Sequence, residues 1–197
     1  MTDVSSTLVL DVVAAIVWLL FAGCLVAALL LGLQAQRRGS LGLAAGSAGS
    51  IVLAGLLLIV PIAPPAYWGA AVLTLLGLAV ATVSGAPFVQ TVFRLATKSS
   101  REGDHGGILV RAKAAADAGS REVLRGGIAI GYLERFAIAA LVVFGYPEGI
   151  AIVVAVKGVG RFTELDDSEA RERFIIGTFA SMIWGVALGV LVRLAVT

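Results

Sequence analysis

Charge is what this sequence has least of. Only 14% of its 197 residues are Asp, Glu, Lys or Arg, where a soluble domain carries about a quarter. Hydrophobic residues make up 59%, and the mean hydropathy is +0.98. Polar surface is too scarce to cover a water-soluble globule. Several apolar runs approach or exceed the ~18 residues that indicate a membrane span. The composition predicts an all-α polytopic transmembrane helical bundle, with the lipid bilayer as its first partner.

Other absences narrow the function. Cys24 is the one cysteine, so no disulfide forms within the chain; inside an apolar run it reads as a small packing residue. His105 is the one histidine. With Glu102 and Asp104 in a glycine-flanked loop it makes a poor metal site, and neither metal nor cofactor is expected. The HExxH, nucleophile-elbow and Walker A patterns are missing, so no enzyme is expected. The pI near 9.0 does not signal nucleic acid. The basic residues sit in loops between apolar runs, without aromatic interleaving. No basic residue precedes the first apolar run in MTDVSSTLVLD, so that run is expected to be a retained helix and not a cleaved signal.

What is present is a succession of about six spans. They are expected near Thr7–Leu33, Leu41–Ile62, Trp68–Val92, Glu122–Phe144, Gly149–Glu164 and Phe174–Val196. Arg37 and Arg38 follow the first, and Arg94, Lys98, Arg101, Arg111, Lys113 and Arg121 follow the third. The positive-inside bias places these residues in the cytoplasm and both termini outside. Pro61, Pro64 and Pro65 stop the second span, and Tyr67-Trp68 matches an aromatic belt. In the long polar segment, Ser99–Gly107 reads as a loop and Ile108–Ala118 (ILVRAKAAADA) as a short helix on the membrane. The chain divides into an N-terminal three-span half (1–93), a cytoplasmic basic loop (94–121) and a C-terminal three-span half (122–197). A re-entrant hairpin of the fourth and fifth spans is the alternative to two full crossings.

Small residues mark the packing faces. Gly177, Ser181, Gly185 and Gly189 recur every four positions in the sixth span, and Gly127 and Gly131 do so in the fourth. Such ridges let helix backbones approach closely. They serve contacts within the chain, with another copy, or with a partner membrane protein.

Against this apolar background stand Glu134, Arg135, Lys157, Arg161 and Glu164. Counting from Pro147 at the turn, at about 1.5 Å per residue, Glu134 lies roughly 20 Å down one helix, Lys157 roughly 15 Å and Arg161 roughly 21 Å down the other. These depths fall inside a hydrocarbon core about 30 Å thick. Charges there are expensive and face a partner or a cavity. Lys157, Arg161 and Glu164 share one helical face, and Glu134 is expected to pair with Lys157 or Arg161. The cations outnumber Glu134. That leaves Arg135 or Lys157 for a carbonyl, a headgroup, an anionic substrate or a second subunit.

The run Gly131-Tyr-Leu-Glu134-Arg135, then Ala155-Val-Lys157, Arg161-Phe-Thr-Glu164 and Ile176-Gly177-Thr178 resembles a pattern in uncharacterised bacterial and phage-associated membrane proteins: G-x-L-E-R, A-A-K-x-x-x-R-F-x-E and I-G-T, with Val156 here at the second alanine. The resemblance covers about Arg125 to Ser181. It implies a bacterial cytoplasmic membrane protein and carries no established activity. The leading expectation is a small transporter or channel-like protein with its site among Glu134, Arg135, Lys157 and Arg161. The alternative is a non-catalytic membrane subunit that assembles through these charges and the glycine ridge.

Overall fold

Most of each apolar run becomes helix, because within a membrane only a helix satisfies every backbone amide inside its own segment. The computed structural model describes residues 4–96, 108–110, 121–123, 127–161 and 168–197. These form α1 (Val4–Arg38), α2 (Leu41–Leu57), α3 (Tyr67–Ala96), α4 (Gly127–Val143), α5 (Gly149–Arg161) and α6 (Ser168–Val196), with a short pair of strands, β1 (Ile108–Val110) and β2 (Arg121–Val123), between α3 and α4. The protein is an all-α helical bundle. Stretches within α1, α3 and α6, namely Thr7–Arg38, Tyr67–Ala96 and Arg171–Val196, are long and apolar enough to cross a membrane.

Several boundaries differ from the expectation. Ile108–Val110 is not helical: it pairs antiparallel with β2, Ile108 opposite Val123 and Val110 opposite Arg121. The Ile-Leu-Val run favours the extended state, and the rest of that expected helix lies outside the described residues, as do His105 and Glu164. Strand β2 takes Glu122, so α4 begins only at Gly127. Helix α2 stops at Leu57 and not Ile62. The amides of Leu58, Ile59 and Val60 bond back three residues, to Gly55, Leu56 and Leu57, the tight turn that ends a helix just before Pro61. Helix α6 starts earlier than expected, at Ser168.

The core joins α1, α2, α3, α4 and α6. Phe21, Leu25 and Ala28 of α1, Ala54 of α2, Val80 and Ala81 of α3, Ala139 of α4 and Leu188 of α6 are all essentially inaccessible. Two hydroxyls converge on one carbonyl: Ser47 of α2 and Ser84 of α3 donate to the Ala28 oxygen at 2.8 and 3.1 Å. Where α1 and α3 meet, a Cβ at Gly32 would overlap Ser84. The hydroxyls of Thr82 and Thr91 donate to the Leu78 and Pro87 carbonyls one turn back.

The ridge of α6 packs inside the chain. A Cβ at Gly189 would lie 2.7 Å from Val142 Cβ and 3.0 Å from the Ala139 carbonyl, and one at Gly185 would lie 3.0 Å from Ile138 Cγ2. One at Gly177 would lie 2.9 Å from Phe93 of α3. Small residues thus bring α6 against α4 on one side and α3 on another. At the far end of α4, Gly145 (φ +81°) closes a Schellman turn: the Tyr146 amide bonds to Leu141 and the Gly145 amide to Val142. Arg193 of α6 donates to the same Val142 carbonyl at 3.1 Å.

Helix α5 stands apart. Its described part, Gly149–Arg161, is 13 residues long, about 20 Å. It rests mainly on α4. Gly189→Ala should lower the unfolding free energy by about 1–3 kcal/mol, because the Ala139 backbone and the Val142 branch point cannot move aside. Gly23→Ala, which meets open space, should leave it unchanged or slightly raised. Thermal unfolding of both variants in the same detergent checks this contrast.

Candidate functional site

Glu134 and Arg135 are neighbours on α4, so their side chains leave the helix about 100° apart. One turns to α5 and the other to α3. Lys157 Nζ of α5 meets Glu134 Oε2 at 2.5 Å. The Arg135 Nε donates to the Thr82 carbonyl of α3 at 2.9 Å. Its guanidinium carbon lies 5.3 Å from the centre of the Tyr132 ring, one turn earlier on α4, within reach of a cation–π attraction.

Glycines make the room for Arg135. A Cβ at Gly85 would overlap Arg135 Cδ, and one at Gly131 would lie 3.1 Å from Nη1. The guanidinium is therefore wedged between α3 and α4, and only 4% of the residue is accessible. The Trp184 ring of α6 closes this wedge, stacked on Phe88 with ring centres 4.8 Å apart. Of the two groups the sequence left for outside ligands, Arg135 takes a protein carbonyl and Lys157 takes Glu134. Lys157 Nζ also lies 5.5 Å from the Phe174 ring centre, which ties α5 to the first turns of α6.

These side chains line a cavity of about 390 Å³ at the end of the bundle that carries Arg37, Arg38 and Arg94. Its walls come from the last turns of α1 and α3 and the first turns of α4 and α6, with Lys157 contributed by α5. Glu134, Arg135, Lys157, Arg173, Thr178 and Ser181 supply the chemistry, with Gln36 and Gln90 at its margin; Gly127, Gly131 and Gly177 keep the walls thin. Among the described lining residues there are three cations and one carboxylate. Among the described residues, Glu134 Oε1, Thr178 Oγ1 and Ser181 Oγ in these walls are buried and have no hydrogen-bond partner. Buried polar groups are ordinarily satisfied, so this cluster marks a place for water or a polar ligand.

A second hollow, about 460 Å³, lies on the outer side of the same ion pair, between α4 and α5. Ile130, Leu133, Ala137, Ile152, Val153 and Val156 line it, together with Glu134 and Lys157. Helix α5 ends at Arg161.

Two features of this site are not singled out by the sequence. Arg173 is 5% accessible and lines the cavity, although in sequence it precedes the apolar run. The early start of α6 draws it inward. Gln36 of α1 donates to the Tyr132 hydroxyl of α4 at 2.5 Å, joining helices on opposite sides of the cavity mouth. Among the described residues no group of three or more His, Cys, Asp or Glu has metal-binding proximity. Comparison with protein-family models, curated proteins and solved structures finds no match for this chain.

Lys157→Met leaves Glu134 buried without its cation, and should lower the unfolding free energy by about 2 kcal/mol or more. Adding Glu134→Gln to it should recover most of that loss. A double-mutant cycle by chemical denaturation in detergent gives the coupling energy; additive losses would contradict the pairing.

Proposed function

We propose that this chain is a small transporter or channel-like protein of a bacterial cytoplasmic membrane, with its site in the cavity at the basic end of the bundle. The single observation that carries the reading is the cluster of unpartnered buried polar atoms, Glu134 Oε1, Thr178 Oγ1 and Ser181 Oγ, in a cavity that also holds Arg135, Lys157 and Arg173. A purely structural ion pair has no need of a hollow beside it. Arg135, which meets a carbonyl and not a carboxylate, favours an anion or an anionic group as the bound species.

In this reading the helices cross in alternating directions, the basic end faces the cytoplasm and the termini lie outside, following the positive-inside tendency. Water reaches the ion pair from the cytoplasmic side. Lys157 pairs with Glu134 while leaving two of its three donors for a ligand. Arg135 is fixed by Thr82 and the glycines, so it supplies field more than contact. The alternative, a subunit assembling through the α6 ridge, is less favoured because α3 and α4 already occupy that ridge.

Cysteine labelling tests the reading. In a Cys24→Ala background, Gln90→Cys and Thr178→Cys should react with a membrane-impermeant thiol reagent from the cytoplasmic side only. Leu188→Cys, deep in the core, should stay protected. Protection at all of these positions would mean a dry site and would remove the permeation reading.

A further inference from the structure

The inner cavity and the outer groove are two rooms with a shared wall. Glu134, Lys157 and Ile130 line both. The inner room has cationic and hydroxyl side chains among its apolar walls, whereas the groove is aliphatic apart from the ion pair itself. The groove also faces outward from the bundle: Leu133 is 70% accessible, and Ile152 and Val156 are each 68% accessible. In a bilayer those surfaces meet acyl chains. A cationic chamber joined sideways to an acyl-lined groove has the shape of an amphiphile, with a charged head and an apolar tail.

We infer that the site takes an anionic phospholipid directly from the bilayer, with its phosphate at Lys157 and its acyl chains along the groove between α4 and α5. This rests on the reading of the inner cavity as a ligand site. Three physical points support the assignment. The described charges of the cavity favour an anionic head. Thr178 and Ser181 have hydroxyls without protein partners, suited to donate to phosphate oxygens. Leu133, Ile152 and Val156 of the groove are exposed on the outer face of the bundle, where acyl chains lie against them. A headgroup meets Lys157 without unpairing Glu134, since an ammonium has donors for both.

The test separates the lipid from the bare anion. The protein is reconstituted in vesicles of equal phosphatidylglycerol and phosphatidylcholine, released into mild detergent and weighed intact with its retained lipid. Phosphatidylglycerol should be retained over phosphatidylcholine by roughly tenfold, the ratio expected of one well-made charge contact. Ala137→Trp and Val153→Trp fill the groove from opposite walls, and each should abolish the preference. In parallel, inorganic phosphate should slow thiol labelling of lipid-stripped Thr178→Cys protein (in the Cys24→Ala background), and should do so equally when either groove is filled, which also shows that those variants are folded. Equal retention of the two lipids, or a preference that survives both tryptophans, overturns the lipid assignment. If phosphate still protects, the cavity stands as a site for a free anion. If phosphate does not protect either, the cavity reading falls with it.

Discussion

An ionised side chain moved out of water into an apolar interior loses several kcal/mol of hydration unless the protein replaces it. Much of the geometry near the basic end of this bundle answers that constraint. Lys157 reaches from α5 to neutralise Glu134. Thr82 gives its carbonyl to Arg135, and Gly85 and Gly131 leave space for the guanidinium beside it. Among the described residues the answer is incomplete where Glu134 Oε1 and the two hydroxyls of α6 face the cavity. The position of that gap, between compensated charges and the end of the bundle, is what links the packing to a function.

Packing and site are the same contacts seen at different heights. Near the middle of α6, Gly185 admits Ile138, and Gly189 admits Val142 one turn further on. Nearer the basic end the same helix meets Phe93 at Gly177 and then opens on Thr178 and Ser181 into the cavity. Glycine contacts pack α3, α4 and α6 closely together. Helix α5 carries the counter-charge but is held by α4 and the Lys157 contacts. In the proposed transport reading, the element expected to move is α5. It has the least buried surface to lose and moves the lysine when it moves.

Much of this was legible in the sequence, for identifiable reasons. The long apolar runs gave the helices, since the bilayer permits few alternatives. The four-residue ridge of Gly177 to Gly189 marked a packing face. Depth counting from Pro147 put Glu134 nearer the level of Arg161 than of Lys157 and left both as partners; the structure pairs it with Lys157. The choice of neighbour for each face was not legible. Nothing local says that α6 turns its ridge to α4, that Ser47 and Ser84 share the Ala28 carbonyl, or that Arg135 finds Thr82. These depend on helix arrangement. Arg173 was not counted in the site because a span boundary at Phe174 leaves the preceding charges in the cytoplasm, whereas the residue lies buried in the cavity wall on the helix that runs from Ser168. Ile108–Val110 was misread because the alanine-rich stretch after it dominated the local propensity.

The most direct test of the account is the state of the Glu134–Lys157 pair in a bilayer. Solid-state NMR of protein carrying ¹⁵N-lysine and ¹³C-glutamate, with Lys157→Met to assign the lysine signal, measures whether Lys157 Nζ and Glu134 Cδ are dipole-coupled at contact distance. It also measures how fast water magnetisation reaches them. The account predicts a strong coupling together with transfer from water at Glu134 that is much faster than at Ile138, one turn deeper in the core. A coupled pair as dry as Ile138 would leave only a structural ion pair, and an uncoupled pair would contradict the arrangement on which the site depends.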